Sequence, residues 1–271
     1  MSVKSMFISH GGPPSILKEE DKVTVDYWRA LGKQFSGVAA VVCVSAHWYS
    51  NNTSVSINTA NKIIYDFGEF FKGIYDYTYA FQAPSESQIT AVEEALQASK
   101  FSVSNSTRGL DHGLWIPMRF MFPKGDKPII QVQLPNTKDF DVYTRIGKAL
   151  RGVCEKENFL LLGSGGITHN LEQAFRVMMS KLPPPVPERP HIEFIKKMNK
   201  LLNEKPKASG KELMAEIADW DEFSVAHPTL DHFLPILVAH GGRDGDLKAQ
   251  LMNEEWSNGS LSLAAFIFKD E

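Results

Sequence analysis

Residues 38–45 have the sequence Val-Ala-Ala-Val-Val-Cys-Val-Ser and are followed directly by Ala46, His47 and Trp48. An apolar, β-branched run of this length is typical of a strand buried on both faces of a sheet, although periodicity alone also allows a short buried helix. Similar runs recur along the chain. We predict strands at residues 5–9, 38–45, 53–58, 128–134, 159–163 and 261–268.

Helix-like stretches lie between these runs. They occupy residues 23–35, 86–100, 140–156, 171–180, 191–203, 210–218 and 233–239. Strands that alternate with helices predict an α/β sandwich, in which a mainly parallel central sheet is flanked by helices. The Pro-rich stretch 182–190 is short and has helical pattern on both sides, so we interpret it as a rigid surface connection inside one domain that spans residues 1–271.

The composition limits the classes of partner. The chain is 43% hydrophobic and 23% charged, as in ordinary globular proteins, and its net charge of -3 gives no reason to expect nucleic acid or an anionic membrane. The two cysteines, Cys43 and Cys154, form neither a disulfide framework nor a CxxC site. The N-terminus lacks a signal-peptide pattern, and no run reaches the roughly 18 apolar residues of a membrane span. We predict a cytoplasmic protein that acts on a small molecule. We also predict a monomer, since we expect no long apolar helix face to be exposed.

Histidines follow three of the predicted strands. His10 follows residues 5–9, His47 follows residues 38–45, and His169 follows residues 159–163. Ligands of open α/β sheets gather outside the carboxyl ends of the strands, so we expect these side chains to converge. His232 lies in the turn His-Pro-Thr-Leu-Asp-His at residues 227–232, and His112 lies in a predicted polar loop at residues 108–115. Because neutral imidazole is the commonest metal-binding side chain, the set predicts a metal site.

Other interpretations of these residues are weaker. A single histidine at a strand end is more often a satisfied polar group than a ligand, and we expect structural roles for His191, His227 and His240. The sequence Gly-Ser-Gly-Gly at residues 163–166 is similar to a phosphate loop, but Thr168 occupies the last glycine position of GxGxxG. The chain has no GxxxxGK[ST], HExxH or GxSxG motif.

Six motifs occur in order between residues 8 and 235. They are Ile-Ser-His-Gly-Gly-Pro from residue 8, Val-Ser-Ala-His-Trp from 44, Tyr-Asp-Phe-Gly-Glu-Phe from 65, Gly-Leu-Asp-His-Gly-Leu-Trp-Ile-Pro from 109, Gly-Ser-Gly-Gly-Ile-Thr-His-Asn-Leu from 163 and Pro-Thr-Leu-Asp-His-Phe-Leu-Pro from 228. With these motifs the chain resembles the class III extradiol ring-cleavage dioxygenases, in their DOPA dioxygenase-like branch. Phe71 departs from the pattern, since related sequences usually have proline there.

The resemblance implies a role for each site residue. The metal ligands would be His10, His47 and His232, with His169 as the acid/base and as a fourth ligand in a resting zinc form. His112 would lie on the substrate side as a second catalytic residue. The resemblance and the aromatic content of these motifs suggest four substrate-binding residues, Tyr65, Asp66, Phe67 and Trp115. The expected cofactor is Fe(II), with Zn²⁺ in the purified or crystallised protein, and the expected substrates are a catechol and O₂, which give a muconic semialdehyde.

Two further functions stay open at this stage. Three histidines and a water molecule are also a common catalytic zinc arrangement, so a zinc-dependent hydrolase on the same scaffold would use the same ligands, with His169 or Asp231 activating the water. A binding protein without catalysis is the third hypothesis. Oxygen consumption distinguishes the dioxygenase from the hydrolase, and a metal-free purified protein would favour the binding protein.

Overall fold

The secondary structure is that of a computed structural model, which describes residues 5–51, 54–68, 73–180, 183, 185–245 and 247–269. The strands are β1 (Ser5–Ser9), β2 (Ala40–Ser45), β3 (Tyr49–Ser50), β4 (Val55–Asn58), β5 (Val103–Ser106), β6 (Ile129–Gln131), β7 (Leu134–Pro135), β8 (Phe159–Gly165), β9 (Lys248–Met252), β10 (Trp256–Ser257), β11 (Leu261–Ser262) and β12 (Ala265–Lys269). The helices are α1 (Pro13–Leu17), α2 (Lys22–Gln34), α3 (Glu86–Ala98), α4 (His112–Met121), α5 (Asp141–Glu157), α6 (Leu171–Ser180), α7 (Arg189–Glu204), α8 (Gly210–Ile217), α9 (Asp221–Ala226) and α10 (Leu234–Gly242).

The central sheet has six strands in the order β6-β2-β8-β1-β12-β9. Strands β6, β2, β8 and β1 are parallel neighbours, whereas β12 pairs antiparallel with β1 and with β9. The prediction of a mainly parallel sheet is therefore confirmed, with a mixed edge. Every residue of β1, β2 and β8 is buried, which explains why these runs are continuously apolar and show no alternation with polar residues.

Helices cover both faces of this sheet, so the predicted α/β sandwich is confirmed. Successive side chains of a strand point to opposite faces. Val42 of β2 and Phe7 of β1 belong to a core with α3, α5, α7, α8 and α10, while Val41 and Met6 belong to a second core with α1, α2 and α4. No helix of the described ranges is both long and apolar enough to cross a membrane.

Several predicted elements differ in their bounds. The run at residues 128–134 forms two short strands, β6 and β7, and the run at 261–268 forms β11 and β12. In the run at 53–58, Thr53 lies outside the described residues, and β4 pairs with β5 in a separate small sheet. Phe71, Leu182 and Pro184 also lie outside the described residues. The expectation of no exposed apolar helix face is wrong, because Leu171, Phe175 and Met178 of α6 are exposed.

The polar loop predicted at residues 108–115 is also wrong, since helix α4 begins at His112. The residue types of Gly113 and Pro117 do not predict a helix here, because glycine has low helix propensity and proline cannot donate a hydrogen bond to the carbonyl four residues earlier. Both are accommodated by tertiary contacts. The Gly113 carbonyl, to which Pro117 cannot donate, accepts a hydrogen bond from the Ser164 hydroxyl. A Cβ atom at position 113 would lie 2.9 Å from Ser45 Oγ and 3.1 Å from His10 Cε1, so only glycine allows this close approach.

Candidate metal centre

Five histidines surround one cavity at the carboxyl ends of the parallel strands. His10 follows β1, His47 follows β2, and His169 follows β8, as predicted from the sequence. His112 is the first residue of α4, and His232 lies just before α10. The cavity has a volume of about 170 Å³, and all five imidazoles line it. The structure thus brings together every histidine of the predicted set.

Three of these imidazoles form a nearly equilateral triangle. The ring centroids of His10 and His47 are 4.9 Å apart, those of His10 and His232 are 5.2 Å apart, and those of His47 and His232 are 4.9 Å apart. The Nε2 atoms of His10 and His47 are separated by 3.1 Å. Two imidazoles that bind one metal ion with bonds of about 2.0–2.1 Å hold their nitrogens roughly 3.0–3.4 Å apart. The spacing and the chemistry of these donors therefore fit a single metal ion.

Ser164 fixes the orientation of His10. Its hydroxyl donates to the Gly113 carbonyl and also lies 3.0 Å from Nδ1 of His10. Because the hydroxyl proton is used on Gly113, the oxygen acts as acceptor toward His10, whose Nδ1 must carry the hydrogen. The lone pair of a neutral His10 is then on Nε2, the atom that faces His47. The orientation of this ligand candidate is thus set by a serine of β8.

Asp231 orients His232 in a similar way. Its carboxylate accepts a hydrogen bond from Nδ1 of His232, and its own backbone carbonyl accepts one from the Tyr49 hydroxyl at 2.5 Å. A carboxylate on the far nitrogen of an imidazole fixes the tautomer and leaves Nε2 for a metal ion. His169 stacks on His232, with ring centroids 3.4 Å apart and an interplanar angle of 4°.

The glycines at residues 163–166 have a packing role in this arrangement. A Cβ atom at Gly163 would lie 2.4 Å from the carbonyl oxygen of Pro235, and one at Gly165 would lie 2.2 Å from that of His232. Glycine is needed where two backbones approach this closely. The Gly-Ser-Gly-Gly sequence therefore lets β8 pack against the start of α10, which accounts for its superficial similarity to a phosphate loop.

Burial lowers the pKa of four of these imidazoles, those of His10, His47, His169 and His232, and so keeps them neutral at physiological pH. It lowers the pKa of His10 and His232 well below the usual value, with neighbouring histidines adding to the effect. It lowers the pKa of His47 to about 3 and that of His169 to about 4. Neutral imidazole is the form that binds a metal ion or accepts a proton. Nδ1 of His169 is buried and has no hydrogen-bond partner among the described residues.

Asp66 holds His112 at the start of α4. Its Oδ1 accepts from the backbone N–H and from Nδ1 of His112, both at 2.9 Å. Burial raises the pKa of Asp66, but the hydrogen bonds with His112 prevail and lower it to about 2, so the group is a carboxylate. The Asp66 side chain caps the helix from another loop, because the N-cap residue Asp111 makes no capping bond with its side chain.

Asp111 instead holds the loop that carries His47. Its buried carboxylate accepts from Ser45 Oγ at 2.6 Å, from Gln131 Nε2 at 2.6 Å and from Arg108 at 3.1 Å. Arg108 also donates to the backbone carbonyl of His47 at 3.0 Å. Burial raises the pKa of Asp111, and these donors partly offset it. Sequence reasoning missed this network and Ser164, because their partners are far away in the chain.

The four residues predicted to bind substrate are not on the cavity wall. Tyr65, Phe67 and Trp115 form an aromatic cluster, in which the Tyr65 ring lies 5.9 Å from each of the other two rings. Trp115 is fully buried and donates to the Ile64 carbonyl. Phe67 lies behind His112, with ring centroids 5.6 Å apart, while Asp66 is used by His112. The described cavity residues besides the histidines are Gly11, Gly12, Pro13, Gly165, Gly166, Thr168, Leu171, Leu261 and Ser262.

The remaining histidines make contacts elsewhere. Nε2 of His191 lies 2.9 Å from the Gln173 side-chain oxygen, that of His227 lies 2.9 Å from the Ile167 carbonyl, and that of His240 lies 2.9 Å from the Ala208 carbonyl. None of these three lines the cavity within the described ranges. They have the structural roles expected from the sequence.

The sheet and the five-histidine cavity define an α/β protein with a candidate metal centre at the carboxyl ends of its parallel strands. Residues 4–269 match the family described as "Catalytic LigB subunit of aromatic ring-opening dioxygenase". The chain belongs to this family, which consists of extradiol ring-cleaving dioxygenases and therefore of oxidoreductases. The family predicted from the motifs is thus confirmed.

Curated relatives are similar over almost the whole chain. A "4,5-DOPA dioxygenase extradiol" of Beta vulgaris is 29% identical over 271 residues, which cover 98% of this chain and 96% of that protein. A protein of the same name from Escherichia coli K12 is 28% identical, covering 96% of this chain and 92% of its own. "Dioxygenase tasH" of Hapsidospora irregularis is 28% identical over a region that covers 80% of this chain and 68% of that protein. The crystal structure of an uncharacterized Escherichia coli K12 protein shares the fold, with a TM-score of 0.72 and 20% sequence identity. The match covers 98% of this chain and 99% of that one.

Proposed function

We propose that this chain is a metal-dependent extradiol dioxygenase, in which O₂ opens the aromatic ring of a catechol to give a muconic semialdehyde. The observation that carries the proposal is the triangle of His10, His47 and His232, whose ring centroids are 4.9–5.2 Å apart at the strand ends. Membership of the ring-opening dioxygenase family supports the same chemistry. The names of the curated relatives support a catechol as the substrate class.

The three imidazoles would hold the metal ion through their Nε2 atoms. Fe(II) would supply the redox chemistry that O₂ requires, whereas Zn²⁺ has no accessible redox change. The three ligands are neutral and would not compensate the charge of the ion, which would favour an anionic catecholate. Zinc competes well for nitrogen ligands, and we therefore expect Zn²⁺ in protein purified without added iron.

His169 is proposed to move the protons. A catechol hydroxyl has a pKa near that of tyrosine, roughly 10, so it needs a base when it binds at neutral pH. Burial lowers the pKa of His169 to about 4, so a neutral imidazole stands on the cavity wall, and it would accept this proton once a bound metal ion had lowered the pKa of the hydroxyl. The protonated ring then returns the proton to an oxygen of the reacting substrate. Stacking on His232 fixes the plane in which His169 does this.

His112 is proposed to orient the substrate. Asp66 accepts from its Nδ1–H, which leaves the lone pair of Nε2 to accept a hydrogen bond from a catechol hydroxyl. The ring centroids of His112 and His47 are 4.0 Å apart, so His112 lies beside the proposed ligands. Because the bond to Asp66 and the cap of α4 both fix its position, His112 reaches the substrate without reorganisation.

Oxygen uptake tests the proposed function directly. The full chain is stripped of metal, reconstituted anaerobically with Fe(II) or with Zn²⁺, and given catechol, 4-methylcatechol and DOPA in an oxygen electrode. We expect uptake and a yellow semialdehyde with iron alone. Stoichiometric iron without uptake for any catechol would refute the dioxygenase, and ester or amide hydrolysis by the zinc form would support the hydrolase that uses the same ligands.

Ser164→Ala is expected to weaken metal binding by about 10- to 100-fold, the usual effect of removing a group that orients a metal-bound histidine. The variant frees His10 to rotate and to change tautomer. The dissociation constant for Co²⁺ is measured by competition with a chromophoric chelator. Ser5→Ala is the matched control, because Ser5 is a buried serine at the other end of β1 that donates to the Ala239 carbonyl. Equal losses in both variants would contradict the role of Ser164.

The domain organisation, the location and the oligomeric state also stay predictions. We propose one catalytic domain over residues 1–271, a cytoplasmic location and a monomer that needs neither nucleic acid nor a membrane. The net charge of -3 supports the absence of nucleic acid and of an anionic membrane as partners. Size-exclusion chromatography with light scattering measures the oligomeric state.

A further inference from the structure

A second depression, which we call the outer groove, lies beside the histidine cavity. Its described lining residues are Gly12, Pro13, Pro14, Glu20, Asp21, Leu171, Ala174, Phe175, Met178, Trp256, Ser257, Asn258 and Leu261. Its volume is about 410 Å³, more than twice the 170 Å³ of the histidine cavity. Gly12, Pro13, Leu171 and Leu261 belong to both linings, so the two spaces are adjacent. The groove therefore borders the space that a ring bound at the histidines would occupy.

The wall of this groove is apolar on one side. Leu171, Ala174, Phe175 and Met178 occupy positions i, i+3, i+4 and i+7 of α6 and therefore form one face of this helix. Such a face normally packs against the core, but Leu171 is 44% exposed, Phe175 is 41% exposed and Met178 is 40% exposed. Trp256 also lines the groove. This is contiguous apolar surface that is open to solvent beside a catalytic cavity, as expected of a ligand-binding site.

The charged side chains of the groove are acidic. Glu20 and Asp21 are the charged residues of the described lining, which contains no lysine, arginine or histidine. A carboxylate beside these two side chains would be repelled and would lose its hydration, whereas an ammonium group would be attracted.

We propose that the outer groove binds the ring substituent of the catechol substrate, and that this substituent is an apolar chain ending in a cationic group. The inference rests on the proposed function, since it deepens the specificity of the same site. The small histidine cavity accepts the ring. The face of α6 then contacts the chain, and Glu20 and Asp21 face its charged end. Catechols whose chain ends in a carboxylate are poor substrates.

Chain length provides the first test. With the iron-loaded protein, kcat/KM is measured for 4-alkylcatechols whose alkyl substituent ranges from methyl to hexyl. We expect an increase of about two- to fourfold per methylene until the groove is filled, as apolar burial predicts. Phe175→Ala is expected to flatten this dependence. Met179→Ala is the matched control, because Met179 lies on the same helix, is exposed and does not line the groove.

Charge provides the second test. A 4-alkylcatechol with a terminal amine is compared with the carboxylate of equal length, and we expect kcat/KM to favour the amine by roughly tenfold. The double variant Glu20→Gln/Asp21→Asn should reduce this ratio to about one. The control Glu94→Gln/Asp126→Asn removes the same charge from other parts of the surface. A ratio that is unchanged by the first double variant would contradict the role of Glu20 and Asp21.

Binding without turnover separates this inference from the proposed function. Calorimetric titration of the metal-free protein with 4-hexylresorcinol and with resorcinol measures how much the hexyl substituent contributes to the binding affinity when no reaction occurs. Tighter binding of the hexyl compound, lost in Phe175→Ala, supports the groove even if no catechol is cleaved. Cleavage of 4-methylcatechol without any dependence on chain length would leave the dioxygenase in place and overturn the groove. A dimer that Phe175→Glu dissociates would also overturn it, because a second copy would then cover α6.

Discussion

His10→Ala is expected to abolish stoichiometric binding of Fe(II). The variant removes one of three neutral nitrogen donors, and the two that remain do not form the closed triangle seen at the strand ends. The Gly113 backbone and the Ser164 hydroxyl do not replace it, since they are already bonded to each other. The metal content of anaerobically reconstituted, gel-filtered protein is measured by mass spectrometry of iron. We expect less than about a tenth of one equivalent, given the loss of a direct ligand.

His112→Ala is the matched control for this variant, since it removes another imidazole from the same cavity. The ligand atoms of His10, His47 and His112 lie within 4.8 Å of one another, as do those of His169, Asp231 and His232, so the first three form an alternative ligand set. If His112→Ala retains iron and His232→Ala loses it, the triangle of His10, His47 and His232 holds the metal. The reverse result would contradict the proposed set and would move the ion toward α4.

The central sheet was predictable because its strands are buried on both faces. Residues 5–9 match β1 without change, and residues 159–163 match most of β8, since a continuous apolar run carries a clear signal. Strand β9 has no such signal. Its sequence Lys-Ala-Gln-Leu-Met lacks β-branched residues, and it lies at the edge of the sheet with only Ala249 buried. Pairing with β12 stabilises it as a strand.

The histidines of the site were predictable, but the residues that orient them were not. The position of a histidine at the end of an apolar run is visible in the sequence. The contact between Ser164 and His10 joins residues 154 positions apart, and the bond between Ser45 and Asp111 joins residues 66 positions apart. Tertiary packing creates such contacts, and one sequence carries no local pattern for them. The assignment of Tyr65, Phe67 and Trp115 to the substrate stays a prediction, but the ring contacts among them were not visible in the sequence.

His169→Ala is expected to retain the metal and to lose about 10²- to 10⁴-fold in kcat, as is typical when a general acid/base is removed. His169 lines the cavity beside the proposed ligands and stacks on His232 at 3.4 Å, so its loss leaves the triangle intact. Its low pKa keeps it neutral before the substrate binds. Iron content and oxygen uptake with 4-methylcatechol are measured on the same preparation, which separates a loss of metal from a loss of proton transfer.

Chemical rescue then distinguishes proton transfer from a structural effect. Removing the His169 side chain leaves a space beside His232, and added imidazole is expected to enter it and to restore part of the rate in proportion to its concentration. His191→Ala is the control, because it removes a buried imidazole that does not line the described cavity and should change neither iron content nor rate by more than about threefold. If His169→Ala keeps full iron and nearly full activity, the proton must pass through another group, and His112 is the remaining imidazole of the cavity outside the proposed ligands.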